Sequence, residues 1–297
     1  MININTIVNY LKELQDSICA KIEKTDGNVF FSEDSWQRDG GGGGRSRTIK
    51  NGNIIEKGGV GFSAVEGKTH PALLKQLNLT EDADFFATGV SIVMHPKNPM
   101  VPIIHMNVRY FEMSNGLFWF GGGIDLTPHY IVEEDAKWFH SQLKNVCDSQ
   151  DSTYYEKHKA WADDYFYLPH RNETRGVGGI FYDYLGKDGQ NKDAHFNYMQ
   201  GVGNVFAPIY THLMAKNHVL PYGENELKWQ NLRRGRYVEF NLVWDRGTKF
   251  GLETNGRTES ILMSLPPVAN WEYDFKPESG SEEEKTLGLL KKGIQWN

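Results

Sequence analysis

Cysteine is nearly missing from this chain. Two occur among 297 residues, Cys19 and Cys147, in neither a CxxC nor a zinc-ligand spacing. A disulfide scaffold is excluded, and a reducing, cytoplasmic setting is expected. No stretch approaches the roughly 18 uncharged apolar residues of a membrane-spanning helix, so no span is predicted. The opening residues, MININTIVNYLKELQ, have neither a basic start nor an apolar core, so no secretory signal is read. Excess positive charge is absent too: 32 basic against 38 acidic residues give −6. Broad nucleic-acid binding relies on neutralising phosphates, so that balance argues against it. The phosphate-cradling patterns G-x-x-x-x-G-K-[ST] and strand-borne G-x-G-x-x-G do not occur. There is no internal repeat and no low-complexity tail.

What is present reads as an ordinary folded protein. Hydrophobic residues make up 39%, aromatics 13% and charged residues 24%, which excludes disorder, collagen and coiled coil. The length alone suggests about two domains. No seam divides the chain, so a single domain over 1–297 is predicted.

Ile4, Ile7, Val8, Leu11, Leu14, Ile18 and Ile22 recur at helical spacing and predict an N-terminal amphipathic helix. Residues 86–111 read as a hairpin whose turn lies between Pro96 and Pro102. A strand is predicted over 116–125, ending in the glycines at 121–123. Thr127-Pro128 then opens a helix with Glu133, Glu134 and Asp135 near its start. Further helices are predicted around 153–165 and 192–216, and strands at 236–246 and 258–265. Ser281 to Glu284 fits a capping box before a short C-terminal helix. Helices at both ends and in the middle, with strands pairing as hairpins, give an α+β class built on a large antiparallel sheet.

The hairpin is the most informative segment for chemistry. Residues two apart on a strand share a face, so His105, Asn107 and Arg109 point one way, as do Ser91 and His95. A turn bringing His95 near Ile103 would place all five on one face. So many polar groups on a central strand pair are costly unless they line a site; the alternative is a solvated face. Asp125, after an aromatic run and three glycines, is either a site carboxylate or the cap of the next helix. His140 flanks a helical apolar stripe, as many hydrogen-bonded core histidines do. With His95, His105 and His170 it would make four imidazole donors for a transition metal, although their spacing matches no metal motif. The eleven arginines cluster: Arg45 and Arg47 follow a five-glycine run, Arg171 and Arg175 bracket a loop, and Arg233, Arg234 and Arg236 follow. Arg257 stands beside Gly256. Guanidinium groups on such loops suit bidentate capture of carboxylates or phosphate. Each pair alone also suits a surface ion pair.

These residues lie within longer blocks that closely resemble one family, the oxygen-dependent coproporphyrinogen III oxidases. The blocks are GGGGRSR (41–47), TGVSIVMHPKNPMVPIIHMNVRYFE (88–112), WFGGGIDLTPHY (119–130), FH (139–140), HKAWADDYFYLPHRNETRGVGGIFYDYL (158–185) and the run from 233 to 273. They cover essentially everything from about residue 28 onward, in order. The resemblance implies a homodimer, each subunit a large antiparallel sheet flanked on both faces by α-helices. It implies oxidative decarboxylation of two propionates of coproporphyrinogen III to vinyls, with O2 as co-substrate and no organic cofactor. It also implies roles for residues. His105 is similar to a proton donor and Asp125 to a carboxylate engaging pyrrole N–H groups. Ser91, Asn107, Arg109, Arg171, Arg175, Asn255, Gly256 and Arg257 match substrate-contact or cleft positions. His95, His105, His140 and His170 match positions assigned to a divalent metal in bacterial members. Residue 255 is Asn where many members carry Gly. The block from about Tyr237 to Tyr273, read as strand, is the implied dimer interface. Three rivals make distinct demands: a histidine-ligated iron oxygenase needs stoichiometric iron, a tetrapyrrole carrier binds without forming vinyls, and an RNA-binding module needs salt-sensitive RNA affinity.

Overall fold

A computed structural model of the chain describes residues 2–69, 74, 83–253 and 256–297. The expected N-terminal helix forms as α1 (Ile4–Asp26), capped by the Asn3 side chain on the Thr6 amide and closed by Gly27 at φ 79°. Its stripe of Ile7, Leu11, Leu14, Ile18 and Ile22 is buried.

Seven strands follow, with intervening helices: β1 (Ser32–Gln37), β2 (Gly42–Lys50), β3 (Ile55–Lys68), β4 (Asp84–Pro96), β5 (Ile103–Met113), β6 (Phe118–Thr127) and, later, β9 (Gly178–Leu185). They form one antiparallel sheet in the order β1-β2-β3-β4-β5-β6-β9. The hairpin expectation holds. Met94 lies opposite Ile104 and Ser91 opposite Asn107, a register that carries His95 to the level of Ile103. The glycines 121–123 do not end β6 as expected; the strand runs through them to Thr127. The next helix, α2 (Glu133–Asp148), starts later than Pro128. It has no side-chain cap, and three acidic residues occupy its first turn instead.

Alternation along each strand separates two faces. On one, Ile104, Met106, Val108 and Tyr110 of β5 join Val90, Ile92 and Met94 of β4 in the main core. Helices α1, α2 and α4 (Lys192–Asn217) contribute Leu11, Phe139, Met199 and Phe206 to the same core. The other face is laid out in three cross-strand rows. Gly59, Val93, His105 and Asp125 form one, Gly61, Ser91, Asn107 and Gly123 the next, and Ser63, Gly89, Arg109 and Gly121 the third. Glycine recurs in every row. A Cβ at Gly123 would lie 2.3 Å from the Ile180 carbonyl oxygen, and one at Gly121 2.5 Å from an Asp183 oxygen. At these positions the floor is low because a side chain has no room there.

Helical segments cover part of that face. After α3 (Tyr154–Tyr165), the two-residue strands β7 (Tyr167–Leu168) and β8 (Glu173–Thr174) make a small hairpin. Residues 236–246 and 258–265, expected as strands, form no strand and are mostly helical. Helix α5 (Glu224–Glu239) passes into a π turn (Phe240–Trp244), then α6 (Arg246–Glu253) and α7 (Thr258–Leu262). The alternation of Val238, Phe240, Leu242 and Trp244 suggests a strand, but tertiary contacts decide otherwise. The Trp229 indole donates to the His129 carbonyl at 2.6 Å, and the Arg234 guanidinium to the Pro96 carbonyl at 2.8 Å. Continuing the helix also buries Phe240 against the Phe166 and Phe181 cluster. The C-terminal helix α8 (Glu282–Leu289) has the expected Ser281 cap on the Glu284 amide; the Glu284 carboxylate accepts from Gly280, one residue earlier than a closed capping box requires.

Candidate active site

Register builds the centre of the site. His105 and Asp125 are cross-strand partners, and His105 Nδ1 donates to Asp125 Oδ1 at 2.8 Å. From β8 the chain turns back under the sheet face and delivers Arg175. Its Nη2 reaches the two Asp125 oxygens at 2.7 and 2.8 Å, and its Nη1 donates to Asn241 Oδ1 at 2.9 Å. Phe166, Tyr237 and Phe240 enclose the guanidinium, with ring centroids 4.5, 4.7 and 4.6 Å from it. The Asp125 and Arg175 side chains are 1% and 2% exposed, whereas that of His105 is 22% exposed. Burial alone would raise the Asp125 carboxyl; the Arg175 charge and the His105 hydrogen bond outweigh it and hold the carboxyl below its ordinary value. Asp125 is therefore an ionised group inside the sheet and not the cap of α2. With Nδ1 donating, the neutral ring carries its free lone pair on Nε2, which has no protein partner among the described residues.

Asn107 and Arg109 lie beside this centre on the same strand. Arg109 donates from Nη1 to Asn107 Oδ1 at 2.8 Å and pairs through Nη2 with Asp183 at 2.8 Å. Ser91 lies directly opposite Asn107, and its hydroxyl makes no hydrogen bond among the described residues. Ser91, His105, Asn107, Arg109, Asp125 and Arg175 thus come together. Asp183, Asn241 and the three enclosing rings are members that sequence reasoning missed. Asp183 alternates with the buried Tyr182, a pattern that could have flagged it; Asn241 lay in a segment read as strand.

Other expected site residues lie elsewhere. Arg171 and His170, at the tip of the β7–β8 hairpin, are held by Glu239. His170 Nε2 is 2.8 Å from Glu239 Oε2, and Arg171 donates to both oxygens at 2.6 and 2.9 Å. Burial would raise the Glu239 carboxyl, but these donors and Trp271 bring it down to about 2. Arg257 lies toward the β1–β2 edge, bonded to Ser260 Oγ at 3.1 Å and paired with Asp34. The Gly256 amide donates to the Gly251 carbonyl at 2.7 Å. Asn255 lies outside the described residues. Arg45 and Arg47 are on a strand rather than a flexible loop, pointing to the α1 side, where both pair with Asp16. The arginine clusters are thus matched by carboxylates and do not form a bare cationic pocket: Arg233 pairs with Glu173, Arg234 with Glu56 and Arg236 with Glu239.

The four histidines do not converge as a donor set for a metal. His140 is fully buried in α2, with Nδ1 3.0 Å from the Tyr155 hydroxyl and Nε2 2.9 Å from the Val177 carbonyl; burial takes its pKa to about 4. His95 is buried with Nε2 2.8 Å from the Ser264 carbonyl, and His170 is taken by Glu239 and the Trp244 indole. Among the described residues, no three His, Cys, Asp or Glu side chains are grouped as a metal ion needs.

An imidazole backed by a buried ion pair, opening onto a glycine-floored sheet face with an arginine beside it, has the chemistry for acid–base work on a carboxylate-bearing ligand. The profile of the family described as Coproporphyrinogen III oxidase matches residues 6–296. The oxygen-dependent coproporphyrinogen-III oxidase of Prochlorococcus marinus (strain AS9601) is 47% identical over 97% of this chain and 91% of its own length. The enzymes of that name from P. marinus (strain NATL1A) and Parasynechococcus marenigrum (strain WH8102) are each 48% identical, over 96% and 95% of this chain and 88% and 84% of their own lengths. The chain belongs to the coproporphyrinogen III oxidase family.

Proposed function

We propose that the face bearing Ser91, His105, Asn107 and Arg109 binds coproporphyrinogen III, and that the chain catalyses its oxygen-dependent oxidative decarboxylation to protoporphyrinogen IX. The single observation that carries the placement is the His105–Asp125–Arg175 line, with its partly exposed imidazole over a floor of glycines. For each propionate the reaction is R–CH2–CH2–COOH + O2 → R–CH=CH2 + CO2 + H2O2. Electrons and atoms balance with O2 alone, so this stoichiometry calls for no organic cofactor. The pyrrole framework is electron-rich, and the protein's part is to bind, orient and handle protons.

His105 Nε2 is the atom that exchanges the proton. Asp125 fixes the tautomer and Arg175 holds Asp125. With both of its oxygens filled and 1% exposure, Asp125 acts through His105 and is a positioning residue, rather than one that meets the pyrrole N–H groups itself. Arg109 can exchange Asp183 for a propionate, since both partners are partly exposed, 34% and 19%, and such pairs are weak. Arg257 and Asp34, 30% and 59% exposed, can do the same. Arg257 bonds to β2 and Arg109 stands on β5, three strand spacings or about 14 Å apart. Two carboxylates on opposite rims of one macrocycle suit two guanidinium groups carried by strands this far apart.

The homodimer reading is supported by exposed apolar side chains concentrated in the implied interface: Leu242, Val243, Trp244, Phe250, Val268 and Trp271, each 39–52% exposed. Exposed apolar side chains of this kind suit self-association, here through helical rather than strand segments. Sheet and helices share one main hydrophobic cluster, which supports a single domain. Among the described residues no helix is long and apolar enough to cross a membrane, and the two free cysteines suit the cytoplasm.

The test is aerobic incubation with coproporphyrinogen III, following vinyl product and peroxide together. Two vinyls and two peroxides per macrocycle are expected. Tight binding without vinyls marks a carrier instead, and activity strictly proportional to bound iron marks an iron oxygenase.

A further inference from the structure

The reaction proposed above releases hydrogen peroxide inside a cleft, so the oxidisable groups near that cleft matter. Both thiols are poor candidates. Cys19 and Cys147 are buried, which pushes them up to about 12 and about 11, and the thiolate is the reactive form. Of the eight methionines, Met94, Met106, Met113, Met199 and Met214 are buried. Among the described residues only Met100 and Met263 are partly exposed. Met100 is in the turn between β4 and β5. Met263, just after α7, lines a cavity of about 550 Å³ together with Lys57, Arg257 and Glu259.

The sheet register relates that cavity to the site. The Met263 thioether lies on Gly59 and Gly61, whose hypothetical Cβ atoms would come within 2.8 Å of its Sδ and Cε. Gly59 shares a row with Val93 and His105, two strand spacings or about 10 Å from the imidazole-bearing strand. The sulfur is thus on the same face and in the same row as the proton-handling group, with glycine rather than side chain beneath it.

We propose that Met263 is the interception and modification site for peroxide formed by this protein, R–S–CH3 + H2O2 → R–S(O)–CH3 + H2O. The sulfur lone pair forms the S–O bond as the O–O bond breaks. Sulfur is oxidised by two electrons, and the departing hydroxide takes up the proton of the bound oxygen and leaves as water. The sulfoxide is polar and larger, and the thioether it replaces is already packed closely on Gly59 and Gly61. It displaces the segment that follows, which holds His95 through the Ser264 carbonyl at 2.8 Å and Lys57 through the Leu265 carbonyl at 2.6 Å. Oxidation at Met263 therefore reduces turnover and limits the number of cycles per molecule. The proposal rests on the peroxide-releasing reading of the site.

The test is aerobic turnover with and without catalase, measuring vinyl product and, by peptide mass spectrometry, one-oxygen gain at Met263 and Met100. The expected result is that Met263 oxidises in step with product and ahead of Met100, and that catalase suppresses Met100 oxidation but leaves much of that at Met263. Activity is lost in parallel, and M263L loses it several-fold more slowly per turnover. Vinyl product with Met263 unmodified, or with both methionines oxidised equally and both protected by catalase, overturns this proposal alone. No vinyl product overturns the activity reading and this proposal together.

Discussion

Replacing Asp125 with asparagine removes one charge and little volume. Arg175 is then left 2% exposed with three rings around it, Asn241 and the amide oxygen that D125N retains as neutral acceptors, and no countercharge. Breaking a buried pair in this way costs about 3–5 kcal/mol, because the surviving charge is uncompensated. For a chain of 297 residues that is a fall in Tm of roughly 5–8 °C. Thermal unfolding followed by circular dichroism at pH 7 measures it. The sign of the pH dependence follows from the carboxyl being held below its ordinary value. The contribution of the pair is complete above the unfolded carboxylate value and is lost as pH falls through the lower folded value. The gap between wild type and D125N should hold from pH 6 to 8 and close in acid. D125N combined with R175M should cost much less than the two single changes summed, since the pair acts as a unit. A Tm change below about 2 °C, or additive single effects, would refute the buried ion pair as the foundation of the site.

Three further outcomes are expected. Burial takes His129 to about 3 and both His140 and His158 to about 4; below pH 6.5 the unfolded chain binds protons that the fold refuses. Each should therefore remove about 1.4 kcal/mol of stability per pH unit as pH falls from 6.5 toward 4, and H140Q should flatten that slope in a pH series of denaturant titrations. R109A should weaken binding of coproporphyrinogen by about 1.5–3 kcal/mol in equilibrium titration, with an unchanged Kd removing Arg109 from the binding face. In sedimentation at micromolar concentration, L242D with V243D should yield monomers where the wild type is a dimer; a wild type already monomeric would remove the interface.

The sequence carried the sheet side of the molecule well. Period-two alternation with the Pro96–Pro102 turn was enough to put Ser91, His105, Asn107 and Arg109 on one face, because one-residue slips would have buried all of them in the core. The N-terminal helix was readable from a seven-residue apolar stripe, and the Ser281 cap from its spacing. What failed was the stretch after Glu239. Its alternation is strand-like, yet no sheet edge receives it, and the contacts that make it helical (Phe240 on Phe166, Asn241 on Arg175) come from distant residues no local pattern can show. The same reason hid the identity of the partners. Arginines 109, 171, 175 and 257 were read as ligand-facing because their carboxylates, Asp183, Glu239, Asp125 and Asp34, all lie 50 or more residues away and look unrelated in sequence. His140 shows the converse: its place beside an apolar stripe already suggested the core residue it is.

The most direct measurement is the single-turnover rate of vinyl formation by H105Q saturated with coproporphyrinogen III, with substrate affinity determined on the same preparation. Loss of a proton-handling group predicts a rate about 10²–10⁴ lower than wild type with binding largely retained. A rate close to wild type would show that protons move through some other group and that the imidazole on its buried ion pair is only architecture.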